Sequence, residues 1–317
     1  ASLLKNRLTV EFDYFDNKRS QILWQRNASV PGTTGLTLPR ENIGKVTNKG
    51  YEFSVTYREQ LKKFRYSLSA NGGYSRNKIT YWDESPGRPD YQLSTGKPIP
   101  SNPANADGDL YYVAMGIFKD KAAVDAYPHW AGARPGDVIF KDVNNDGVIN
   151  GNDRIRVDKT NIPRFTGGLS ANLGYGSFDL AILFQGAFGA VRYISTESGE
   201  IGNFLKDFYD NRWTAERPDA SQPRTFNSNN EYWRNYNHTL FLHNSDYVRL
   251  KNIELGYSLP AGIAEKIGVR NLRFYVNGFN LFTFSPQLKD FDPETDQSST
   301  QVYPVQKVVN GGITLTF

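Results

Sequence analysis

Alternation with a period of two runs along most of this chain and restricts its fold more than any other feature. From Leu8, one side reads Leu8, Val10, Phe12, Tyr14 and the other Thr9, Glu11, Asp13. Further on, Tyr51, Phe53, Val55 and Tyr57 oppose Glu52, Ser54, Thr56 and Arg58. A charged turn at 59–63 then leads into Phe64, Tyr66, Leu68, Ala70 against Arg65, Ser67, Ser69, Asn71. Successive strand side chains point to opposite faces, so these runs are strands with one apolar and one polar face, and this pair is a hairpin. The pattern returns in Leu169, Ala171, Leu173, Tyr175 and, past a tight turn at Gly176-Ser177, in Phe178, Leu180, Ile182, Phe184. It appears again in Ile253, Leu255, Tyr257, Leu259, in Phe274 and Val276, and in Val309, Gly311, Ile313, Leu315, Phe317.

This reading predicts nine or ten strands of about ten residues, the length a tilted strand needs to cross a membrane. Short turns alternate with long polar segments, at 78–101, 120–163 and 197–244. Two architectures accommodate such strands. In a soluble β-sandwich the apolar face packs on a second sheet; in a transmembrane β-barrel it meets lipid while the polar face lines a wet lumen. Loops of this length on one side and short turns on the other favour the barrel. So do the aromatics, 20 Phe, 19 Tyr and 5 Trp in 317 residues, because Phe and Tyr suit strands and Tyr and Trp suit membrane interfaces. No apolar run reaches the ~18 residues of a transmembrane helix. The opening residues are not expected to be a signal peptide, because Ala1-Ser2-Leu3-Leu4-Lys5 runs straight into the first strand pattern.

Several functional classes are disfavoured. Cysteine is absent, which removes disulfides, thiolate metal sites and a cysteine nucleophile. The 37 basic and 33 acidic residues are interspersed, so no nucleic-acid footprint emerges. The sequence lacks a Gly-x-Ser-x-Gly elbow, a P-loop and a His-Glu-x-x-His pair, and it reads as a non-enzyme. Its three histidines, His129, His238 and His243, are expected to be solvated loop residues rather than ligands. The carboxylate pairs Asp83-Glu84 and Asp290/Asp292 are expected to be solvated as well. Tyr232-Trp233-Arg234-Asn235-Tyr236 either stacks on sugars or peptides or packs against neighbouring loops.

The sharpest local motif is Asp142-Val143-Asn144-Asn145-Asp146-Gly147-Val148-Ile149-Asn150-Gly151-Asn152-Asp153. Oxygen-bearing side chains fall at loop positions 1, 3, 5 and 12 (Asp142, Asn144, Asp146, Asp153), with Gly147 at 6, the Val148 carbonyl at 7 and Asn150 at 9. Calcium wants six to eight hard oxygens, and this spacing wraps them around a point. Position 12 is Asp where an EF-hand has Glu, as in dockerin-type loops, and no amphipathic helix precedes Asp142. The expectation is a structural Ca2+ that stiffens a long loop; the alternative is a self-capped Asn/Asp-Gly turn.

A terminal strand needs a pairing partner, which a barrel supplies by closure, and one ending in Phe317 resembles the assembly signal of outer-membrane barrels. Five stretches together resemble the SusC/RagA family of TonB-linked outer-membrane transporters. They are Glu41-Asn42-Ile43-Gly44-Lys45-Val46-Thr47-Asn48-Lys49-Gly50-Tyr51-Glu52, Pro135-Gly136-Asp137-Val138-Ile139-Phe140-Lys141-Asp142, and Phe178-Asp179-Leu180 through Phe184-Gln185-Gly186-Ala187-Phe188-Gly189. The fourth runs from Ser245-Asp246-Tyr247-Val248-Arg249-Leu250-Lys251-Asn252 to Leu259-Pro260, and the fifth is Asn280-Leu281-Phe282 with Asp292-Pro293-Glu294 and Tyr303-Pro304. The resemblance spans all 317 residues but only the last third of such a transporter. It implies an all-β, antiparallel transmembrane barrel segment with long extracellular loops, residues 1–317 forming the C-terminal portion of a barrel of about 22 strands with a plugged lumen. The plug domain and TonB box belong to a part outside this sequence. The implied partners are a SusD-like surface lipoprotein acting as lid, the TonB complex, the rest of the barrel and plug, membrane lipid, and a glycan or peptide cargo. Two other functions fit the pattern: a self-contained passive pore or adhesin, and a soluble calcium-dependent glycan-binding sandwich.

Overall fold

A computed structural model describes residues 1–26, 38–84, 86–100, 110–195, 204–225, 232–288, 290–295 and 305–317. In chain order the strands are β1 (Ser2–Leu3), β2 (Leu8–Gln25), β3 (Arg40–Leu61), β4 (Phe64–Tyr81), β5 (Leu110–Tyr112), β6 (Ala114–Ile117), β7 (Val138–Phe140), β8 (Arg154–Arg156), β9 (Phe165–Tyr175), β10 (Phe178–Phe188), β11 (Val191–Tyr193), β12 (Leu242–Asn244), β13 (Tyr247–Ser258), β14 (Asn271–Phe284) and β15 (Val308–Thr316). Four short helices lie in the connections: α1 (Lys121–Ala126), α2 (Lys206–Asn211), α3 (Tyr232–Asn235) and α4 (Ala261–Ala264).

Nine strands form one antiparallel meander in the order β1-β2-β3-β4-β9-β10-β13-β14-β15. Every pairing joins strands that are consecutive in this order, as in an up-and-down barrel wall. The wall does not close within this chain; β1 and β15 stand at its two edges. A self-contained ten-stranded ring, with its first strand paired to its last, is therefore not what forms.

The turn chemistry sits at one end. Lys62 and Gly176 adopt positive φ (54° and 58°) and reverse the chain between β3 and β4 and between β9 and β10. The opposite end carries the long connections 82–164, 189–246 and 285–307. The polar segments expected separately at 78–101 and 120–163 belong to the single connection 82–164, because β5 and β6 never join the wall. Leu110, Tyr111 and Tyr112 of β5 are all buried, so that strand has no polar face to present to a lumen; it pairs with β8, and β6 pairs with β7.

Cross-strand register places the apolar residues in rows around the wall. At the short-turn end the row is Phe64, Tyr175, Phe178, Tyr257, Phe274, Ile313. A middle row is Val10, Val55, Ala70, Leu169, Phe184, Leu250, Phe282. Near the loop end comes a second aromatic row, Tyr14, Tyr51, Tyr74, Phe165, Phe188. Phe64 and Tyr74 on β4 are ten residues apart, which at ~3.3 Å per residue and ~40° tilt separates the aromatic rows by about 25 Å, the height of a barrel's hydrocarbon belt.

These side chains have nothing packed over them: Phe12 is 64% exposed, Leu169 60%, Leu255 54% and Ile313 61%. The sandwich reading fails here, since it requires a second sheet on this face. A continuous exposed apolar band bounded by aromatic rows is a lipid-facing surface. The main buried core lies elsewhere, in the long connections, around Tyr112, Trp130, Val138, Phe140, Trp233 and Phe241, and a smaller cluster of Val46, Ile79 and Trp82 sits at the loop-end extension of β3 and β4.

Depth and side set the cost of a charge on this wall. Leu169→Arg, on the lipid face midway between the aromatic rows, is expected to cost about 2–4 kcal/mol of barrel stability, whereas Ser170→Arg on the inward face should change it little. Urea titration of the full-length barrel in lipid vesicles, followed by heat-modifiable gel mobility, checks the difference.

Candidate functional site

The functional elements are the inward face of the wall and the loop assembly at its long-connection end. The loops have an aromatic core of their own. Tyr112 stacks on Phe140 with ring centres 4.5 Å apart, and Trp130 stacks on Tyr232 at 4.8 Å. The Tyr112 and Tyr232 hydroxyls are hydrogen bonded at 2.7 Å. Burial pushes the Tyr112 hydroxyl's pKa up, with the Tyr232 contact adding to it, so it stays protonated and can donate. Trp233 is fully buried. The two readings left open for the 232–236 segment are thus separated: Tyr232 and Trp233 pack against neighbouring loops.

Asp137 holds this core together, although nothing in the sequence pattern marks it. It is 1% exposed. Its carboxylate accepts from Arg224 Nε (2.7 Å), Trp233 Nε1 (3.1 Å) and the Arg134 backbone N–H (3.0 Å). The residue before it, Gly136, has φ 88° and lies where a Cβ would meet the Trp213 ring at 2.7 Å and Arg224 Cβ at 2.6 Å. Only glycine fits there. The Pro135-Gly136-Asp137 stretch therefore has a packing role that its residue types alone did not disclose.

The acidic loop is coiled around its own side chains. Asp142 accepts from the backbone of Asp146 (Oδ1, 3.2 Å) and Gly147 (Oδ2, 2.8 Å), and Asp146 accepts from the backbone of Val148 (2.9 Å) and the side chain of Asn144 (2.8 Å). Asn150 accepts from the Asn152 backbone, and its own amide reaches the Val148 carbonyl at 3.5 Å. Asp153 is fully buried and accepts from the backbones of Val143 (2.9 Å) and Asn150 (2.8 Å), closing a capping box with Asn150. Gly147 and Asn145 supply the positive φ values the coil needs. Among the described residues no three His, Asp or Glu side chains converge as a metal site. Asp142, Asn144 and Asp146 share one hydrogen-bonded turn, while Asp153 anchors the far side of the loop.

The inward face of the wall carries charge. Arg273 reaches Asp179 (Nε–Oδ1 3.1 Å) and Glu254 (2.8 Å), and Asn277 donates to Glu254 at 3.2 Å. Arg273 gains this reach by lying flat over Gly256, where a Cβ would stand 2.2 Å from its guanidinium. At the loop end of the same face, Arg249 is fully buried. It pairs with Asp292 (2.6 Å) and Glu294 (3.0 Å). The expected solvated pair Asp290/Asp292 thus divides, with Asp290 exposed and Asp292 bound to a buried arginine. Glu84 is likewise engaged, accepting from Thr95 Oγ1 at 2.7 Å and from the backbone N–H groups of Ser94 and Thr95.

The sequence matches the family described as TonB dependent receptor-like, beta-barrel over residues 2–281. The chain belongs to this family. It is 28% identical over 348 aligned residues to TonB-dependent receptor P3 of Formosa agariphila, covering 100% of this chain and 33% of that protein. It is 24% identical over 324 residues to TonB-dependent receptor SusC of Bacteroides thetaiotaomicron, covering 99% of this chain and 30% of SusC. Among solved structures, that of the RagAB peptide transporter superposes with a TM-score of 0.70 at 24% identity, covering 98% of this chain and 34% of that one. The RagAB peptide importer in its open-open state gives 0.69 at 22% identity, covering 100% and 33%. The chain therefore spans about a third of the length of the relatives it matches. The SusC/RagA resemblance holds, and family membership implies the outer membrane. No helix among the described residues is long and apolar enough to cross a membrane.

The histidines of this receptor barrel segment correct one expectation. His129 and His243 are half-buried, and His243 lies beside a pocket of about 220 Å³ lined also by Phe208, Phe241, Asp207 and Leu288. His238 is fully buried, with ring centres of Phe241 and Phe140 at 4.4 and 5.6 Å. It sits inside because β5 docks there: Tyr112 bridges to His238 and donates its backbone N–H to the Asn237 carbonyl. Burial pushes the His238 pKa down to about 3, opposed only by the Trp233 backbone. The depressed folded value means the unfolded chain takes up the proton first. The stabilising contribution is therefore complete above about pH 6.5 and is lost as pH falls toward 3, at about 1.4 kcal/mol per pH unit. Urea titration of the detergent-solubilised receptor, read by Trp130 and Trp233 emission, should show an earlier loop transition at pH 4.5 than at pH 7.5. In His238→Phe that difference should shrink.

Proposed function

We propose that this chain supplies barrel wall and surface loops to an outer-membrane, TonB-dependent nutrient importer. Its plug and TonB-contacting segment lie in the remaining two thirds of the receptor, and a SusD-like surface lipoprotein acts as its lid. The cargo is an oligosaccharide or a peptide. The observation that carries this reading is the wall itself: an open antiparallel meander with an unpacked apolar belt outside, charged and amide side chains inside, and all the long loops at one end. Such a wall encloses a wet lumen too wide for side chains to fill, so passage depends on moving a plug. The inward charges, Arg273 with Asp179 and Glu254 among them, give the lumen a polar surface for plug and cargo. Relatives named TonB-dependent receptor support the energy source, and the RagAB peptide transporter structures support a peptide cargo as one branch of the proposal.

Cells carrying the full-length transporter, offered labelled maltooligosaccharides and labelled oligopeptides in parallel, should accumulate one class, and dissipating the proton-motive force should abolish the accumulation. Entry of both classes at uncoupler-insensitive rates would mark a passive pore.

We also propose that loop 142–153 takes a calcium ion. The supporting features are the oxygen-bearing residues Asp142, Asn144, Asp146, Asn150 and Asp153, the Val148 carbonyl, and a backbone already turned around Asp142. The ion would stiffen the 82–164 connection. Calorimetric titration of the purified, calcium-stripped transporter with CaCl2 should give binding heat that Asp142→Ala/Asp146→Ala removes. No heat in the unmodified protein would leave a self-capped turn.

A further inference from the structure

Arg249 lies on the inward face of β13, because its neighbour Leu250 belongs to the lipid-facing row with Phe184 and Phe282. It sits near the start of β13, at the long-loop end of the wall. A guanidinium at this position would be expected to lie in lumen water. Instead it is 0% exposed, and what covers it comes from the connection between β14 and β15.

That connection leans inward and sets two of its carboxylates, Asp292 and Glu294, against this wall. Arg249 Nη2 donates to Asp292 at 2.6 Å and Nη1 to Glu294 at 3.0 Å. Lys251, next on the same face, donates to Glu294 at 2.9 Å, and the Tyr247 hydroxyl reaches its other oxygen at 2.7 Å. Burial alone would raise the Glu294 pKa, but hydrogen bonds from Lys251 and Tyr247 outweigh it and hold the carboxyl ionised. The segment is tied down at further points. Arg192 donates to the Asp292 carbonyl (3.3 Å) and Thr295 (3.2 Å), with its guanidinium 4.9 Å from the Phe291 ring centre, and Gln287 accepts from the Asn244 backbone at 2.7 Å. Leu288 is 5% exposed and Pro293 is buried.

We infer that Arg249 is a positioning residue whose pairing with Asp292 and Glu294 straps residues 286–288 and 290–295 against the inner wall at the mouth of the lumen, narrowing the opening. The Asp292-Pro293-Glu294 and Tyr247-Val248-Arg249 stretches are two halves of one clamp. Removing one side of a buried ion pair leaves an uncompensated charge and is strongly destabilising. The wall's backbone ladder does not depend on the clamp, so the strap comes away while the barrel stays intact. That this face borders a lumen rests on the function proposed above; the clamp does not.

The chain's lack of cysteine makes the test direct. In the full-length transporter in intact cells, with any cysteine of its remaining two thirds replaced by serine, Leu288→Cys should react slowly with a bulky, membrane-impermeant maleimide. Adding Arg249→Met, or Asp292→Asn/Glu294→Gln, should speed labelling by about tenfold or more. Combining both sets should add little further, because the two sides act through each other. Arg249→Lys should fall between, since an ammonium cannot span both carboxylates as a fork. Heat-modifiable gel mobility reports whether each barrel has folded, and if Arg249→Met does not assemble, the loop-side variant carries the same prediction. Unchanged labelling in a folded variant, or effects that multiply independently, would overturn the inference. The readout needs neither cargo nor TonB, so it stands or fails separately from import.

Discussion

Within hydrocarbon a backbone amide has no water to bond, and each strand of this wall must find its partners in the strand beside it. The meander meets that demand along its interior: β3, β4, β9, β10, β13 and β14 each have a neighbour on both sides. The requirement explains why the long connections leave and re-enter at adjacent strands and why the turns at Lys62 and Gly176 are so tight. It also explains the two kinds of interior. The wall needs no packed core because its apolar side chains are satisfied by lipid. The loops, which stand in water, have to build one from Tyr112, Phe140, Trp130 and Trp233.

Period-two alternation disclosed the wall well because lipid and lumen impose opposite demands on successive residues. Tyr51, Phe53, Val55, Tyr57 and Phe64, Tyr66, Leu68, Ala70 lie on the face their order required, and the hairpin between them forms. The loops were less legible. β5 to β8 are three or four residues long, too short for alternation to mark them, and β5 is buried along its whole length. His238 carried no signal of burial, because what buries it is the docking of Tyr112, far away in sequence. Asp137 and Arg249 lay inside quoted motifs, yet a charged residue in a strand-like stretch is ordinarily read as solvated. Their partners, Arg224 and Trp233 in one case and Asp292 and Glu294 in the other, come from segments that meet only in the fold.

Both buried charges do comparable work. Each sits where two long connections, or a connection and the wall, have to meet in one register, and each is satisfied only when that register is reached. Burying an ion contributes little net stability, but a wrong arrangement leaves it bare. Without disulfides, this selectivity is what gives long polar loops a definite shape.

Strands β4 and β9 pair from Phe64–Tyr175 to Tyr74–Phe165, although everything from Trp82 to Arg164 lies between them. The chain thus departs from the rim and rejoins it at neighbouring points, and closing such an excursion costs only slightly more as it lengthens. The rim is indifferent to what the excursion contains, provided its ends stay close together. Segments with other pockets can occupy this position without disturbing a single rung of the ladder below, so selectivity can diversify on a wall that stays constant.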